Sequence, residues 1–206
     1  MMAWASLELY QTTFDPRWFA EARGLGDEML RSFHDERGGG FFQTAADAEG
    51  LITRPKELFD NAVPSGNSVA ADVLLRLGLL TGEPEYERAG VSALRVARDL
   101  MPRAPSAFGH AFGALDLYLS AAKEVAIVGE PGPARDALVG EVWRRFMPNA
   151  VLAVATPGDA EAVAAVPLLA GRVPIGGQPA AYVCQGFVCR MPITTPEDLA
   201  AQLDAP

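Results

Sequence analysis

Residues 54–68 read RPKELFDNAVPSGNS and lead directly into an apolar stretch. Within this segment, Ser65, Gly66 and Asn67 supply capping chemistry, because small polar side chains accept hydrogen bonds from the free N–H groups of a first helical turn. The pattern predicts a helix from Ser68 to Leu80. Its apolar residues surround the helix axis, which is typical of a helix that is buried on several sides.

The same logic extends to both sides of this buried helix. Residues 2–13 are apolar around most of the circumference and predict another inner helix. Residues 16–33 follow the capping residue Asp15 and carry apolar side chains on one face, which predicts an outer helix. Downstream, residues 84–100 predict an outer helix and residues 108–119 a small-residue inner helix. The alternation of inner and outer helices is typical of stacked helical hairpins.

A polar, acidic turn separates the first of these hairpins from residues 54–68. Residues 41–44 and 51–53 flank this turn and contain apolar and β-branched side chains. They predict a short β-hairpin that reaches over one end of the helices.

The pattern changes after residue 122. Residues 125–128 and 150–155 predict two strands around a helix at 134–146, which is a βαβ-like unit. We therefore divide the chain into a helical domain, 1–122, and a small C-terminal α/β subdomain, 123–206.

Further short elements are expected near the C-terminus. Residues 173–175 and 181–188 predict short strands that extend the sheet. Thr195 and Asp198 form a capping-box opening for a last helix, which is expected to end at Leu203.

The two cysteines, Cys184 and Cys189, are too few for a disulfide scaffold and are expected to be reduced thiols. The alternative is a bridging or redox-active pair, and only a turn at residues 185–186 would bring the two sulphur atoms together. His34 and His110 are the chain's two histidines, and neither has metal-ligand spacing to the cysteines. We predict no metal site and no cofactor.

Composition and charge exclude two classes of partner. A net charge of -9, without a run of Lys and Arg, disfavours nucleic-acid binding. No apolar stretch approaches the roughly 20 residues that a membrane-spanning helix needs, and the first ten residues lack the basic region of a signal peptide. We expect a cytoplasmic protein that binds neither nucleic acid nor membranes.

Residues 54–71 closely resemble the signature RPKELYD-x-A-x-PSGNSVAA of the thioredoxin-domain-containing spermatogenesis-associated protein 20 family. Residues 7–16 and 38–42 resemble the preceding hairpin of that family, and residues 125–129 and 182–189 resemble its C-terminal tail. The resemblance covers nearly the whole chain. Phe59 stands where the family pattern often has an aromatic hydroxyl.

The resemblance implies a mainly α fold. This fold would be a partial alpha/alpha toroid of the six-hairpin glycosidase type, related to the N-acylglucosamine 2-epimerases, with a small C-terminal α/β subdomain. The chain would correspond to the last third of a larger protein, after a thioredoxin-like domain and the early hairpins. Met1 and Met2 are then expected to start inside a larger architecture, and the ring would be open.

In such a toroid, the loops that enter the inner helices surround one mouth of the barrel. Helix N-termini there point free N–H groups and a positive dipole end at the mouth, which suits hydroxylated or anionic ligands. We predict a carbohydrate-type ligand or substrate. The predicted catalytic carboxylates are Asp60 and Glu57. The predicted ligand-binding side chains belong to residues of the same segment, namely Arg54, Lys56, Asn61, Ser65 and Asn67.

The reaction stays open between a glycosidase and a sugar epimerase, because neither set of catalytic groups is complete in the sequence. A structural alternative exists for each residue: Ser65 and Asn67 would cap a helix, Asp60 would fix the turn and Arg54 would pair with Glu57.

Two further alternatives concern the whole chain. It would be a non-catalytic helical module that supports a thioredoxin-like redox domain or a protein partner, or an inactive truncated fragment. An open toroid face would expose apolar surface and favour self-association.

Overall fold

The computed structural model describes residues 1–48 and 53–205. Within these ranges, the α-helices are α1 (Met2–Thr13), α2 (Pro16–Phe33), α3 (Gly66–Thr81), α4 (Pro84–Ala97), α5 (Gly109–Leu119), α6 (Pro133–Trp143), α7 (Ala160–Ala165) and α8 (Pro196–Asp204). The strands are β1 (Lys123–Val128), β2 (Ala150–Ala155), β3 (Ala180–Gln185) and β4 (Val188–Cys189). Short 3-10 turns cover Pro105–Ala107 and Pro167–Leu169. None of the helices in the described part of the chain is long and apolar enough to span a bilayer.

The first part of the chain is helical. Helix α1 packs against α2, and α3 packs against both α4 and α5. Helix α3 lies at the centre, and nearly all of its side chains are buried. The capping predictions are confirmed, because Asp15 accepts a hydrogen bond from the Arg17 N–H and Ser65 accepts one from the Ser68 N–H. A mainly α fold with a small α/β part is therefore confirmed, whereas the toroid stays a prediction.

The second part contains a four-stranded sheet with the order β2-β1-β3-β4. Strands β1 and β2 are parallel and are joined through α6, which confirms the predicted βαβ unit. Strand β3 pairs with β1 in the antiparallel direction. The capping prediction at α8 is also confirmed, since the Thr195 hydroxyl accepts a hydrogen bond from the Asp198 N–H.

Three details of this part differ from the sequence predictions. Helix α6 ends at Trp143, before the predicted end at residue 146. Residues 173–175 do not join the sheet, because Ile175 only bridges to Gln178 in a local turn. The strand predicted at 181–188 is interrupted, since Gly186 and Phe187 both adopt positive φ angles, of 56° and 64°. Two consecutive residues of this kind form the tight turn of a β-hairpin.

The segment after α2 also differs from the prediction, because residues 41–44 do not form a continuous strand. Phe41 pairs with His34 in an antiparallel bridge, and the Gln43 N–H donates to the Pro55 carbonyl at 2.9 Å. Of the second strand predicted in the 41–53 hairpin, Leu51 and Ile52 lie outside the described residues.

Alternating side chains of the sheet face two different cores. The side chains of Ala126 and Val128 pack into the core of the helical part. The side chains of Val125 and Ile127 pack into a second core with α6 and α8, because successive residues of a strand point to opposite faces. One face of the sheet thus shares an apolar core with the helical part, and the other face forms a separate core. The domain boundary between residues 122 and 123 stays a prediction.

The outer edge of β2 is covered by side chains of the inner helices. The Arg76 guanidinium of α3 donates to the Ala150 carbonyl at 3.1 Å. The Leu152 N–H donates to Oε1 of Gln11, on α1, at 3.0 Å. Both backbone groups lie on the side of β2 away from β1, because the alternating carbonyls of Asn149 and Ala155 face the β1 side.

Candidate functional site

The N-terminal ends of the three predicted inner helices lie close together. The connection between residues 53 and 65 is irregular and passes along these ends before Ser65 caps α3. Asp60 and His110 join it to α5, and the rings of Trp4, on α1, and His110, on α5, lie 5.1 Å apart. The segment on which the sequence placed the site therefore lies where helices α1, α3 and α5 begin.

Asp60 links the starts of two helices. One carboxylate oxygen accepts a hydrogen bond from the Ser65 N–H at 2.8 Å, and the other accepts from the N–H groups of His110 and Ala111 at 2.8 and 3.2 Å. Burial alone would raise the pKa of Asp60, but these backbone hydrogen bonds and the Ser68 hydroxyl outweigh it and hold the pKa below its ordinary value. The carboxylate is thus ionised at neutral pH and anchors the first turn of α5.

The buried amide of Asn67 joins three backbone segments. Its Oδ1 accepts a hydrogen bond from the Phe41 N–H at 2.7 Å, and its Nδ2 donates to the carbonyls of Phe41 and Glu57 at 3.0 and 2.8 Å. A Cβ on Gly40 would lie 2.7 Å from Oδ1 of Asn67, and Gly40 has a φ of +70°. The close approach of these backbones therefore requires a glycine at position 40.

The two cationic side chains of the segment also contact backbone oxygens. The Lys56 ammonium donates to Oδ2 of Asp35 at 2.7 Å and to the Gly39 carbonyl at 2.5 Å. The Arg54 guanidinium donates to the Thr44 carbonyl at 2.6 Å and to the Ser32 carbonyl at 3.3 Å. Both cations also lie over the Phe42 ring, at 4.2 Å for the Arg54 guanidinium and 4.8 Å for the Lys56 ammonium.

Glu57, Phe59 and Asn61 are exposed on this connection. The Gln43 amide donates to Oε2 of Glu57 at 3.5 Å, and the Asn61 amide donates to the Phe59 carbonyl at the same distance. The Phe59 ring packs at 5.2 Å from that of Phe108, which precedes α5. The catalytic and ligand-binding roles of Asp60, Glu57 and the other five predicted residues stay predictions.

Further polar side chains meet at the same place. Nε2 of His110 is buried, has no hydrogen-bond partner among the described residues, and lies 4.0 Å from Oδ2 of Asp72. Asp72 is also held by the Arg76 guanidinium at 2.9 Å. The Trp4 indole N–H donates to Oε1 of Glu8 at 3.1 Å.

Sequence reasoning did not assign Trp4, Glu8 or Asp72 to the site. One signal could have found Asp72, because it is a carboxylate inside a mostly apolar inner helix, and buried charges need partners. Trp4 and Glu8 carried no such signal, since their position depends on how α1 packs against α5.

The expectation of reduced cysteines is wrong in this structure. Cys184 and Cys189 form a disulfide. They are directly opposite each other on β3 and β4, because the turn at Gly186 and Phe187 reverses the chain between them. Within residues 1–48 and 53–205, no three His, Cys, Asp or Glu side chains are grouped as metal ligands.

No family model matches the chain. The chain is similar to spermatogenesis-associated protein 20 of Homo sapiens, at 35% identity over 198 residues, which is 94% of this chain and 25% of that protein. The proteins of the same name from Rattus norvegicus and Mus musculus are each 33% identical, with the same coverage. The chain therefore spans about a quarter of the length of these relatives. Homology at 33–35% identity over 94% of the chain supports its membership of the spermatogenesis-associated protein 20 family.

Proposed function

We propose that the chain binds a carbohydrate-type ligand where α1, α3 and α5 begin, as part of a larger protein of this family. The observation that supports this proposal is the grouping of the Trp4 indole with the His110 ring at 5.1 Å and the Asp72 carboxylate 4.0 Å from Nε2 of His110. An aromatic face beside polar groups suits a sugar, because a sugar ring has apolar C–H faces and a rim of hydroxyl groups.

In this proposal, the seven residues predicted from sequence divide into two groups. Glu57 and Asn61 are exposed and would reach a ligand directly. The other five would hold the connection and the helix ends in place, because their side chains form hydrogen bonds with backbone groups. These residues are Arg54, Lys56, Asp60, Ser65 and Asn67.

A glycosidase or a sugar epimerase needs groups that take and give protons. His110 and Asp72 are the pair that best suits this role, because an imidazole and a carboxylate are common general acid–base groups and Nε2 of His110 lies 4.0 Å from Oδ2 of Asp72. No cofactor enters the proposal, and a cytoplasmic location remains part of it.

Ligand binding can be tested by a thermal-shift panel of neutral and acidic mono- and disaccharides. A ligand that binds the native state raises the melting temperature. We expect at least one saccharide to stabilise the chain and Trp4→Ala to abolish that stabilisation, whereas Trp18→Ala, on the outer helix α2, should retain it. Absence of stabilisation by every saccharide, for this chain and for the complete protein, would overturn the proposal.

A second candidate function is a non-catalytic helical module that supports a redox domain or a protein partner. One observation favours it: the side chains of Arg54, Lys56, Asp60 and Asn67 already bond to backbone groups of the chain itself. This candidate predicts that Asp60→Ala lowers stability without changing turnover by the complete protein. It also predicts that no saccharide stabilises the chain.

We also propose that the chain self-associates through an open helical face. Supporting it, Leu9 of α1 is 41% exposed, and Phe112 and Leu119 of α5 are 37% and 72% exposed. Apolar side chains of this size on inner helices would be covered by a second copy or by further hairpins.

A further inference from the structure

Three chemically active side chains form a row across the sheet, away from the site described above. Glu124 on β1 is paired with Cys184 on β3, and Cys184 is paired with Cys189 on β4. Residues directly opposite each other on neighbouring strands project from the same face. A carboxyl group and two sulphur atoms are therefore presented side by side.

A cation contacts both sulphur atoms. Nη2 of Arg172 lies 3.3 Å from Sγ of Cys184 and 3.1 Å from Sγ of Cys189. Its position is fixed by Tyr182, whose ring lies 5.8 Å from the guanidinium and whose hydroxyl donates to the Val173 carbonyl at 2.7 Å. A guanidinium keeps its charge in proteins, and a fixed cation stabilises a thiolate over a thiol.

Glu124 is fully buried at the inner end of the row. Its Oε2 accepts a hydrogen bond from the Phe187 N–H at 2.9 Å, and its Oε1 has no partner among the described residues. Burial raises the pKa of Glu124 above its ordinary value, although the Phe187 N–H and the Arg172 charge oppose this rise. The carboxyl group is thus suited to hold a proton next to the buried sulphur.

The two sulphur atoms differ in access. Cys184 is 1% exposed, whereas Cys189 belongs to the exposed end of the hairpin. We therefore expect an incoming thiolate to approach Cys189 more readily than the buried Cys184. Access of this kind determines which sulphur is attacked in thiol–disulfide exchange.

We propose that Cys184 and Cys189 form a dithiol–disulfide exchange centre, in which Cys189 is attacked, Cys184 leaves, Arg172 stabilises the leaving thiolate and Glu124 holds its proton. The co-reactant is a protein or small-molecule dithiol. In a reducing compartment, a disulfide of this kind cycles instead of remaining as a permanent cross-link.

The exchange takes place in two balanced steps. A thiolate of the dithiol attacks Sγ of Cys189, the bond between the two sulphur atoms breaks, and its electron pair goes to Cys184 as a thiolate, which then takes a proton from Glu124 or solvent. The second thiol of the reductant loses its proton to solvent, attacks the mixed disulfide and releases Cys189 as a thiolate. The protein gains two electrons and the dithiol becomes a disulfide.

The equilibrium can be tested by incubating the folded chain in mixtures of reduced and oxidised dithiothreitol at about pH 8, where thiolates are populated. The free thiols are then alkylated and counted by intact mass. We expect one two-electron transition. Arg172→Met should raise the ratio of reduced to oxidised dithiothreitol at the midpoint by about tenfold, because one pKa unit of lost thiolate stabilisation corresponds to that factor.

Arg98→Met is the matched control, because this arginine is exposed and follows α4. It should leave the midpoint unchanged, and Arg172→Lys should shift it less than Arg172→Met does. Circular dichroism of each variant checks that the chain is folded. The proposal is overturned if the folded chain resists reduction until it is denatured, or if Arg172→Met and Arg98→Met have the same midpoint.

The direction of attack has its own test, in which oxidised glutathione is added to variants with a single cysteine. Cys184→Ser should form a mixed disulfide at Cys189 rapidly. Cys189→Ser should react at Cys184 at least about tenfold more slowly, because a buried sulphur is hard to reach. Equal rates for the two variants would contradict the assigned order of attack, and Glu124→Gln should change the pH dependence of the exchange rate.

Discussion

Asp60 is the residue on which the connection before α3 depends, since its carboxylate accepts backbone N–H groups from Ser65, His110 and Ala111. Two of these donors belong to the first turn of α5, where N–H groups have no partner within the helix. The carboxylate also lies at the positive end of the α5 dipole. A side chain that was selected from the sequence as a catalytic acid or base thus has a structural task of its own.

We expect Asp60→Ala to lower the free energy of unfolding by about 2 kcal/mol, because it removes a helix cap and leaves several N–H groups without a charged acceptor. Asp99→Ala, at an exposed position, should change it by less than about 0.5 kcal/mol. Urea denaturation measures both. Equal stabilities of the two variants would contradict the anchoring role of Asp60.

The contribution of Asp60 to stability depends on pH in a way that follows from the direction of its pKa shift. The pKa of Asp60 is lower in the folded chain than its ordinary value, so the contribution is fully present above the unfolded pKa. It is lost as the pH falls through the folded pKa. Stability of the native chain should therefore decrease on acidification below about pH 4, and Asp60→Ala should decrease less over the same range.

The pKa of Asp35, like that of Asp60, is lowered by hydrogen bonds, but the two carboxylates have different partners. The Gly38 N–H, the Lys56 ammonium and the Arg37 N–H together lower its pKa to about 2. We expect Lys56→Met to raise the pKa of Asp35, because the ammonium no longer favours the charged carboxylate. Lys123→Met should not, since Lys123 binds the carbonyls of Leu203 and Ala205 instead. Carboxyl chemical shifts followed by NMR titration report the pKa, and an unchanged value in Lys56→Met would exclude the contribution of this ion pair.

At the scale of elements, the tip of the β3–β4 hairpin packs against the end of α3. Gly82 ends α3 with a φ of +74°, and a Cβ at this position would lie 3.0 Å from Cζ of Phe187. Two constraints favour glycine at position 82, namely the left-handed backbone and the nearby Phe187 ring. The contact connects the disulfide hairpin to the central helix.

We expect Gly82→Ala to lower the free energy of unfolding by about 1–2 kcal/mol, because alanine is strained at a positive φ. Gly24→Ala is the matched control, since Gly24 lies inside α2 and a Cβ there would have no neighbour within 4 Å. This second change should raise the free energy of unfolding by about 0.5–1 kcal/mol. Thermal or urea unfolding of both variants checks the opposite signs, and two changes of the same sign would contradict this account.

The sequence predicted most elements because their signals are local. Asp15 and Ser65 occupy the predicted caps, and the apolar pattern of residues 125–128 and 150–155 predicted β1 and β2 correctly. A turn at residues 185–186 was predicted only as an alternative, and the structure has it one residue later, because Gly186 and Phe187 adopt positive φ and this is rare for a non-glycine residue. The turn therefore depends on tertiary packing, as does the disulfide that it permits.

Only part of the site was predicted, because local sequence signals do not report how the helices pack against each other. The capping role of Ser65 was weighed from the sequence, and the structure contains this cap. The meeting of Trp4, Asp72 and His110 was not predicted, since it requires the relative rotation of three helices. Spacing along the chain carries no information on that rotation.

At the scale of the whole molecule, the exposed apolar side chains of α5 allow a test of self-association. Leu119→Lys should raise the dissociation constant of a dimer at least about tenfold, because burying a leucine contributes roughly 1.5–3 kcal/mol and each 1.4 kcal/mol is a factor of ten. Phe146→Lys is the control, because Phe146 is 93% exposed but follows α6. Analytical ultracentrifugation over a concentration series measures both. A wild-type chain that remains monomeric at every concentration would refute self-association.

The contacts of Gln11 and Arg76 with β2 have a consequence for the solubility of the sheet. An uncovered edge strand is a template on which a strand of another molecule can pair. Here the Leu152 N–H and the Ala150 carbonyl are already bonded to side chains of α1 and α3, and the opposite edge, β4, is only two residues long. Neither edge offers a foreign strand a continuous row of backbone partners, so the sheet is protected from fibril growth while the helices stay in place.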